Sequence, residues 1–351
     1  MIRLLVLTLF IVFFLPVFSQ KDSTDIAVLN QKAWDLRYSN YEDGVATAQK
    51  ALIASKNIHN NHLIADSHEK LGVISGNFGQ FQNAFLHLDS ALNIYQTLND
   101  SNNIGKEYAN IGILHYYQSN LDSTLFYYQK AIDFLKEKKR IAGVYNNFGL
   151  CYKSKGEYKN AIDKYIKAIS VYQEIKEKEM LAGTYENVGN LFIQLNKFNK
   201  AHEYLAKAKE TYLFINDESG LAANYNDLGR LYFEIGDTVN AIASYKTCIG
   251  MYQKLNLKKE MAIVMSNIAT TIENEEHFDL RDQYFYRAIA IFDSIGHQRY
   301  LISTIHNFAE TKPPADRIEL HLKNFKTAQE LDDFELIKDC AKSLATALSE
   351  N

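Results

Sequence analysis

The stretch "NNFGLCYKSKGEYKNAIDKYIKAI", residues 146–169, holds two apolar stripes at helical spacing on either side of a glycine. Phe148, Gly149 and Tyr152 make the first stripe; Ala161, Tyr165, Ala168 and Ile169 make the second. With Gly156 between them, the segment reads as a helix, a tight turn and a second helix running back. It holds no obvious nucleophile, phosphate cradle or metal ligand. The fold turns on whether this hairpin stands alone or is one of a series.

It is one of a series. Small residues in the context of Gly149 recur at Gly72, Gly112, Gly149, Gly189, Gly229, Ala269, Ala309 and Ser349, in steps of 40 with a single step of 37. A second column runs Ala51, Ala91, Ala131, Ala168, Ala208, Cys248, Ala288 and Ala328, with its one 37-residue step at the same place. Two columns sharing one three-residue deletion mark a repeat. Tyr108, Tyr145, Tyr185 and Tyr225 precede the small position by one helical turn, and Tyr152, Phe192 and Tyr232 follow it by three residues. Large residues around a small one imply that a partner helix approaches closely there. Seven residues after the small position come turn formers, Gly79, Ser119, Gly156, Asn196 and Gly236. Each repeat therefore reads as an antiparallel helix pair, of unequal length because the surplus residues fall at the end of the second helix, where Tyr172 and Ile175 extend the stripe.

This succession of small residue, aromatic, turn glycine and Tyr-x-x-Ala resembles the tetratricopeptide repeat. The repeat here is 40 residues where the family usually has 34. Such long repeats resemble those of kinesin light chains and of bacterial peptide-receptor regulators. The resemblance implies an all-α fold, a right-handed superhelical solenoid of antiparallel helix pairs, with roughly seventeen or more helices. It covers about eight repeats within residues 20–351. The first is degenerate, with Lys32 at the glycine position. The last two drift, with Glu276 in one turn and Pro313-Pro314 in the other, and a lone helix ending near Ser349 closes the array.

Composition narrows the function. The chain has 351 residues, 47% hydrophobic, enough to bury a large core. Its 38 Lys and Arg nearly balance 42 Asp and Glu, which is not the basic footprint of a nucleic-acid partner. At the start, Arg3, an apolar run over residues 4–18 and a polar break have the layout of a secretory signal peptide, residues 1–19, cut after Ser19. An uncleaved anchor is the alternative, for which the run is short. The expectation is an exported protein, periplasmic or extracellular, with no membrane span once the signal is gone. Cys151, Cys248 and Cys340 form neither a disulfide framework nor a zinc site and read as small buried thiols.

No His-Glu-x-x-His, Gly-x-Ser-x-Gly, P-loop or dinucleotide fingerprint occurs. Glu186 and Glu234 stand singly, and His59, His62 and His68 read as an exposed polar loop and its flank. The expectation is a protein that is not an enzyme and uses no cofactor and no metal. The binding candidates lie in an inner groove lined by the first helices. Two residues before the small position come Lys70, Asn110, Asn147, Asn187, Asp227, Asn267 and Asn307. An amide both donates and accepts, so such a ladder can hold an extended peptide backbone, and asparagines at this position commonly contact peptide in the family that the chain resembles. The same amides could instead tie neighbouring helices together. One residue after the small position the groove is apolar at Val73, Ile113 and Leu150, and polar at Asn190, Arg230, Thr270 and Glu310. Tyr116 and Tyr117 add aromatic surface.

Two function classes follow. One is an exported interaction scaffold for a protein or peptide segment. The other is the extracytoplasmic sensory part of a truncated signalling protein, since signal-led repeats of this length resemble those of bacterial membrane-bound histidine kinases and helix-turn-helix regulators. Oligomeric state is open.

Overall fold

The computed structural model describes residues 22–272, 278–331 and 334–349. The expected signal peptide and the Glu276 turn lie outside them. Among the described residues every regular element is an α-helix, and the chain forms two compact units, Met1–Glu177 and Lys178–Asn351.

The first unit holds α1 (residues 22–35), α2 (Tyr41–Asn57), α3 (Asn61–Asn77), α4 (Phe81–Thr97), α5 (Ser101–Tyr117), α6 (Leu121–Phe134), α7 (Lys138–Ser154) and α8 (Tyr158–Glu174). The second holds α9 (Lys178–Gln194), α10 (Phe198–Ile215), α11 (Glu218–Glu234), α12 (Thr238–Lys254), α13 (Lys258–Thr271), α14 (Phe278–Ser294), α15 (Gln298–Ala309), α16 (Pro314–Glu330) and α17 (Phe334–Ser349). Consecutive odd and even helices form the expected antiparallel pairs.

The small column closes each pair. A methyl group placed on Gly72, Gly112, Gly149, Gly189 or Gly229 would stand 2.4–2.8 Å from Leu88, Tyr128, Tyr165, Leu205 or Tyr245, respectively. Each of these five large residues lies three positions before the small residue of the second column, and none is more than 3% exposed. The second helix thus presses a large side chain onto the bare backbone of the first, which gives close packing without overlap.

A third small column, two helical turns before the first, was not apparent in the sequence. It comprises Ala65, Gly105, Ala142, Ala182, Ala222 and Ala262, all buried. At Gly105 an added methyl would lie 2.9 Å from the backbone of Leu135 and of Ala131, so main chains nearly touch there. This column explains a difference from expectation. The first helices also extend, and the regular pairs are equal, 17 residues against 17, as in α3/α4, α7/α8 and α11/α12.

The turns carry their own periodicity. The five turn formers within pairs all have positive φ, from 54° to 80°. Between pairs a second set, His59, Asn99, Lys176, Asn216, Asn256 and Gly296, also has positive φ. These left-handed residues end helices and satisfy terminal carbonyls, as Gly156 does by donating its N–H to Lys153. The three-residue deletion falls between α6 and α7. There α6 has only 14 residues and ends on extended Leu135, φ −67° and ψ 137°.

The degenerate first repeat is shifted by one residue. Lys32 is exposed, and Ala33 takes the buried place beside Ala48, Leu71 and Ile74. At the other end Pro313 and Pro314 form the N-terminus of α16, where a proline's missing N–H costs nothing. Ser349 is exposed, while Cys340 and Ala347 face inward. All three cysteines are buried and free, as the sequence suggested.

Candidate functional site

In the first unit the end of α1, the turn after it, α3 and α5 border an open cavity of about 110 Å³. Its apolar wall is Trp34, Tyr38, Val73, Ile113, Leu114 and Tyr117, and Asn77 and Asn110 supply amides. The helical period brings Val73 and Ile113, 40 residues apart, to the same side. The Arg37 guanidinium lies 4.3 Å from the Trp34 ring and 4.6 Å from that of Tyr38, and the Lys70 ammonium is 5.1 Å from Trp34 on α1. Cations over an indole fix its orientation and contribute about 0.5–1 kcal/mol each. Asn77 donates to the Arg37 carbonyl at 3.0 Å, which ties the turn after α1 to α3.

A charged layer adjoins these residues. Glu69 and Glu107 are both buried. Lys70 bonds Asp66 at 2.7 Å and reaches Glu69, while Lys106 pairs with Glu69 from α5. Burial disfavours the Lys70 charge, but Glu69 and Asp66 outweigh it and raise its pKa. Burial, with Glu69 adding, raises the Glu107 pKa well above the usual carboxylate value. Asn110 touches this layer through Glu107 at 3.5 Å.

The seven members of the groove column are all half-buried, but they do not form one uniform ladder. Asn110 lines the cavity. Asn147 and Asn307 make no hydrogen bond among the described residues, and Asn187 is engaged by its surroundings. In the second unit the column joins neighbouring first helices. Asn190 donates to Asp227 at 2.6 Å and accepts from Arg230 at 2.5 Å, and Asn267 donates to Asn226 at 2.9 Å. Tyr116 packs against the core and shares a hydrogen bond with Ser154 at 3.0 Å; its neighbour Tyr117 is 49% exposed and faces the cavity.

Glu186 has partners the sequence did not reveal. It accepts from the Tyr212 hydroxyl at 2.9 Å, and burial, reinforced by Asp227, pushes its pKa up to about 8. Glu186 Oε1 and the neighbouring Asn224 Oδ1 are both buried acceptors without a donor among the described residues. Of the histidines read as loop, His62 instead opens α3, and His68 faces His87 with nitrogens 3.0 Å apart.

The sequence missed Trp34 and Tyr38, because they sit on the repeat whose register is shifted. It also missed a set of possible metal donors, His306, Glu310 and His321 in the second unit. The signal was present as a His-x-x-x-Glu pair with a histidine eleven residues beyond, but on different helices.

Comparison with known proteins places this geometry. Residues 140–213 and 222–255 each match a tetratricopeptide-repeat family model. No curated protein matches the sequence. Among solved structures, the apo quorum sensor NprR from B. thuringiensis aligns with TM-score 0.58 at 12% identity, covering 91% of this chain and 86% of its own. The Rap conjugation gene regulator of plasmid pLS20, in complex with the Phr* peptide, gives 0.55 at 14%, covering 92% and 94%. A STAND signal-transduction ATPase with a tetratricopeptide-repeat sensor, from Pyrococcus horikoshii, gives 0.60 at 14%; 89% of this chain aligns with 49% of that one. The two matched segments are tetratricopeptide repeats, and the same 40-residue period and small-residue helix pairs continue on either side of them in the all-α fold of tetratricopeptide-repeat solenoids.

Proposed function

We propose that the protein is a non-enzymatic interaction scaffold that binds a peptide or an extended segment of another protein along its first helices. The carrying observation is the cavity of the first unit, with an indole, two phenols and aliphatic walls beside two amides. At about 110 Å³ it is well under the roughly 300–1,000 Å³ of typical small-molecule sites. It suits an apolar side chain of a longer ligand, whose backbone Asn110 could bond. The Phr* peptide bound to the pLS20 regulator is a precedent within the same fold. A non-catalytic role is favoured because polar atoms along the second unit's first helices are spent on one another, as in Arg230–Asn190–Asp227. Export, to the periplasm or the outside, belongs to the same proposal and rests on residues 1–19 of the sequence.

Trp34 is the sole tryptophan, so it reports on the cavity directly. Peptides selected on the intact protein from a random display library should shift its fluorescence. Ile113→Asp, at unchanged melting temperature, should weaken them at least about tenfold, or 1.4 kcal/mol. The combined Asn110→Ala and Asn147→Ala variant, with both amides in the first unit, should lose roughly 1–3 kcal/mol, at about 0.5–1.5 per amide bond. Peptides that bind wild type and both variants alike, with Trp34 emission unmoved, would refute the proposal.

A further inference from the structure

A larger cavity, about 280 Å³, lies in the second unit among α15, α16 and α17. His306 reaches it from the last turn of α15, and Glu310 caps the same helix one turn on, so both share a face. His321 comes from α16 and is only 1% exposed. His321 Nε2 lies 2.9 Å from Glu310 Oε1, the two imidazole centroids are 5.3 Å apart, and one donor atom from each of the three residues falls within 4.8 Å of the others.

A second observation points to a guest. Asn324, also on α16 and 1% exposed, lines the same cavity. Its amide nitrogen donates to the Ile302 carbonyl at 2.9 Å, and its Oδ1 is buried with no donor among the described residues. A buried amide oxygen left unpaired is costly and calls for a partner. Water held on a cation inside the cavity is such a partner.

We propose that His306, Glu310 and His321 hold one divalent transition-metal ion of the zinc class, with a remaining coordination position open to the cavity. Two imidazoles and one carboxylate suit Zn²⁺ and its neighbours rather than Mg²⁺ or Ca²⁺, which favour all-oxygen shells. Ligands about 2.0–2.1 Å from a tetrahedral ion stand about 3.3 Å from one another. The His321–Glu310 separation of 2.9 Å has to open slightly, and no separation has to close by more than about 1.5 Å. The Glu310 carboxylate offsets part of the ion's charge, and Asn324 accepts a hydrogen bond from a water in the open position. Cys340 and Asp339 on α17 line the opposite wall. The ion would clamp α15 to α16 near the end of the second unit.

The test uses the full chain stripped with a chelator. Zn²⁺ titrated by calorimetry should bind one to one, and the melting temperature should rise with the free Zn²⁺ concentration, continuing past saturation. Co²⁺ should give the intense visible absorption of a tetrahedral site. Glu310→Gln changes a half-exposed side chain and leaves the fold intact. It and His306→Gln should each weaken binding at least about tenfold, while His87→Gln, at the unrelated His68–His87 contact, should leave it unchanged. Absence of stoichiometric binding overturns the proposal, as does binding that survives both Glu310→Gln and His306→Gln.

Discussion

Replacing Glu186 by glutamine tests the polar layer beside the groove column. In the unfolded chain this carboxyl ionises near 4.5, whereas in the folded protein burial and Asp227 hold it protonated up to about 8. A group whose pKa is raised on folding contributes fully below the unfolded value and loses its contribution as pH climbs through the folded value. The window is therefore about pH 4.5 to 8, and stability falls across it. At 1.36 kcal/mol per pH unit the ceiling is about 4–5 kcal/mol. Relaxation of the surroundings around a charged Glu186 reduces this to roughly 2–3 kcal/mol. Glutamine keeps an acceptor for Tyr212 and cannot ionise. The variant and wild type should match within about 0.5 kcal/mol at pH 5, and the variant should be the more stable by roughly 2–3 kcal/mol at pH 9. Denaturant unfolding followed by helical circular dichroism measures this as a shift in midpoint, with hydrogen exchange of α9–α11 as a check because arrays need not unfold in one step. A difference between the two proteins that stays constant from pH 5 to 9 would show that Glu186 is ionised in the fold and that the reasoning is wrong.

Gly105→Ala should cost about 1–3 kcal/mol, since the new methyl meets fixed backbone at 2.9 Å. Gly189→Ala puts its methyl 2.8 Å from Cγ and Cδ2 of fully buried Leu205 and should also be destabilising, by about 1–3 kcal/mol less a helix-propensity gain of up to about 1 kcal/mol; a melting temperature unchanged in both variants would contradict this. Burial pushes the Cys151 thiol up to about 11 and the Cys248 thiol up to about 12, so a thiol reagent at pH 8 should label the native protein far more slowly than the denatured one. Mass spectrometry of material exported by the native host should give a chain beginning at Gln20, and recovery of residues 1–19 on exported protein would count against cleavage.

Most of the fold was legible because it repeats. The Gly149 column, the turn formers and the 37-residue step all correspond to packed features, since each is a steric requirement met by few residue types. The Ala65–Ala262 column was less visible because alanine is common in any helix, and only burial separates a packed alanine from an idle one. Of the groove residues, Val73, Asn110, Ile113 and Tyr117 share one cavity because the period fixes their side of the helix. Trp34 was hidden by the one-residue slip at Lys32 and Ala33. The Arg230–Asn190–Asp227 chain needs the distance between neighbouring helices, which spacing along the sequence does not contain. His306 and His321 lie on separate helices and answer to no local motif.

The location of the three-residue deletion separates two kinds of joint. Inside a pair, the segment from small residue to turn keeps its length in every regular repeat, because the bare backbone of one helix must meet the large side chain of the next in fixed register. After the second helix that obligation has ended, and α6 gives up its last turn and left-handed residue while α7 still resumes the pattern. The inter-pair joint is thus the place with slack. Insertions, tags or a grafted binding loop belong there, whereas the same residues added at Gly79, Gly156 or Gly236 would pull a core apart.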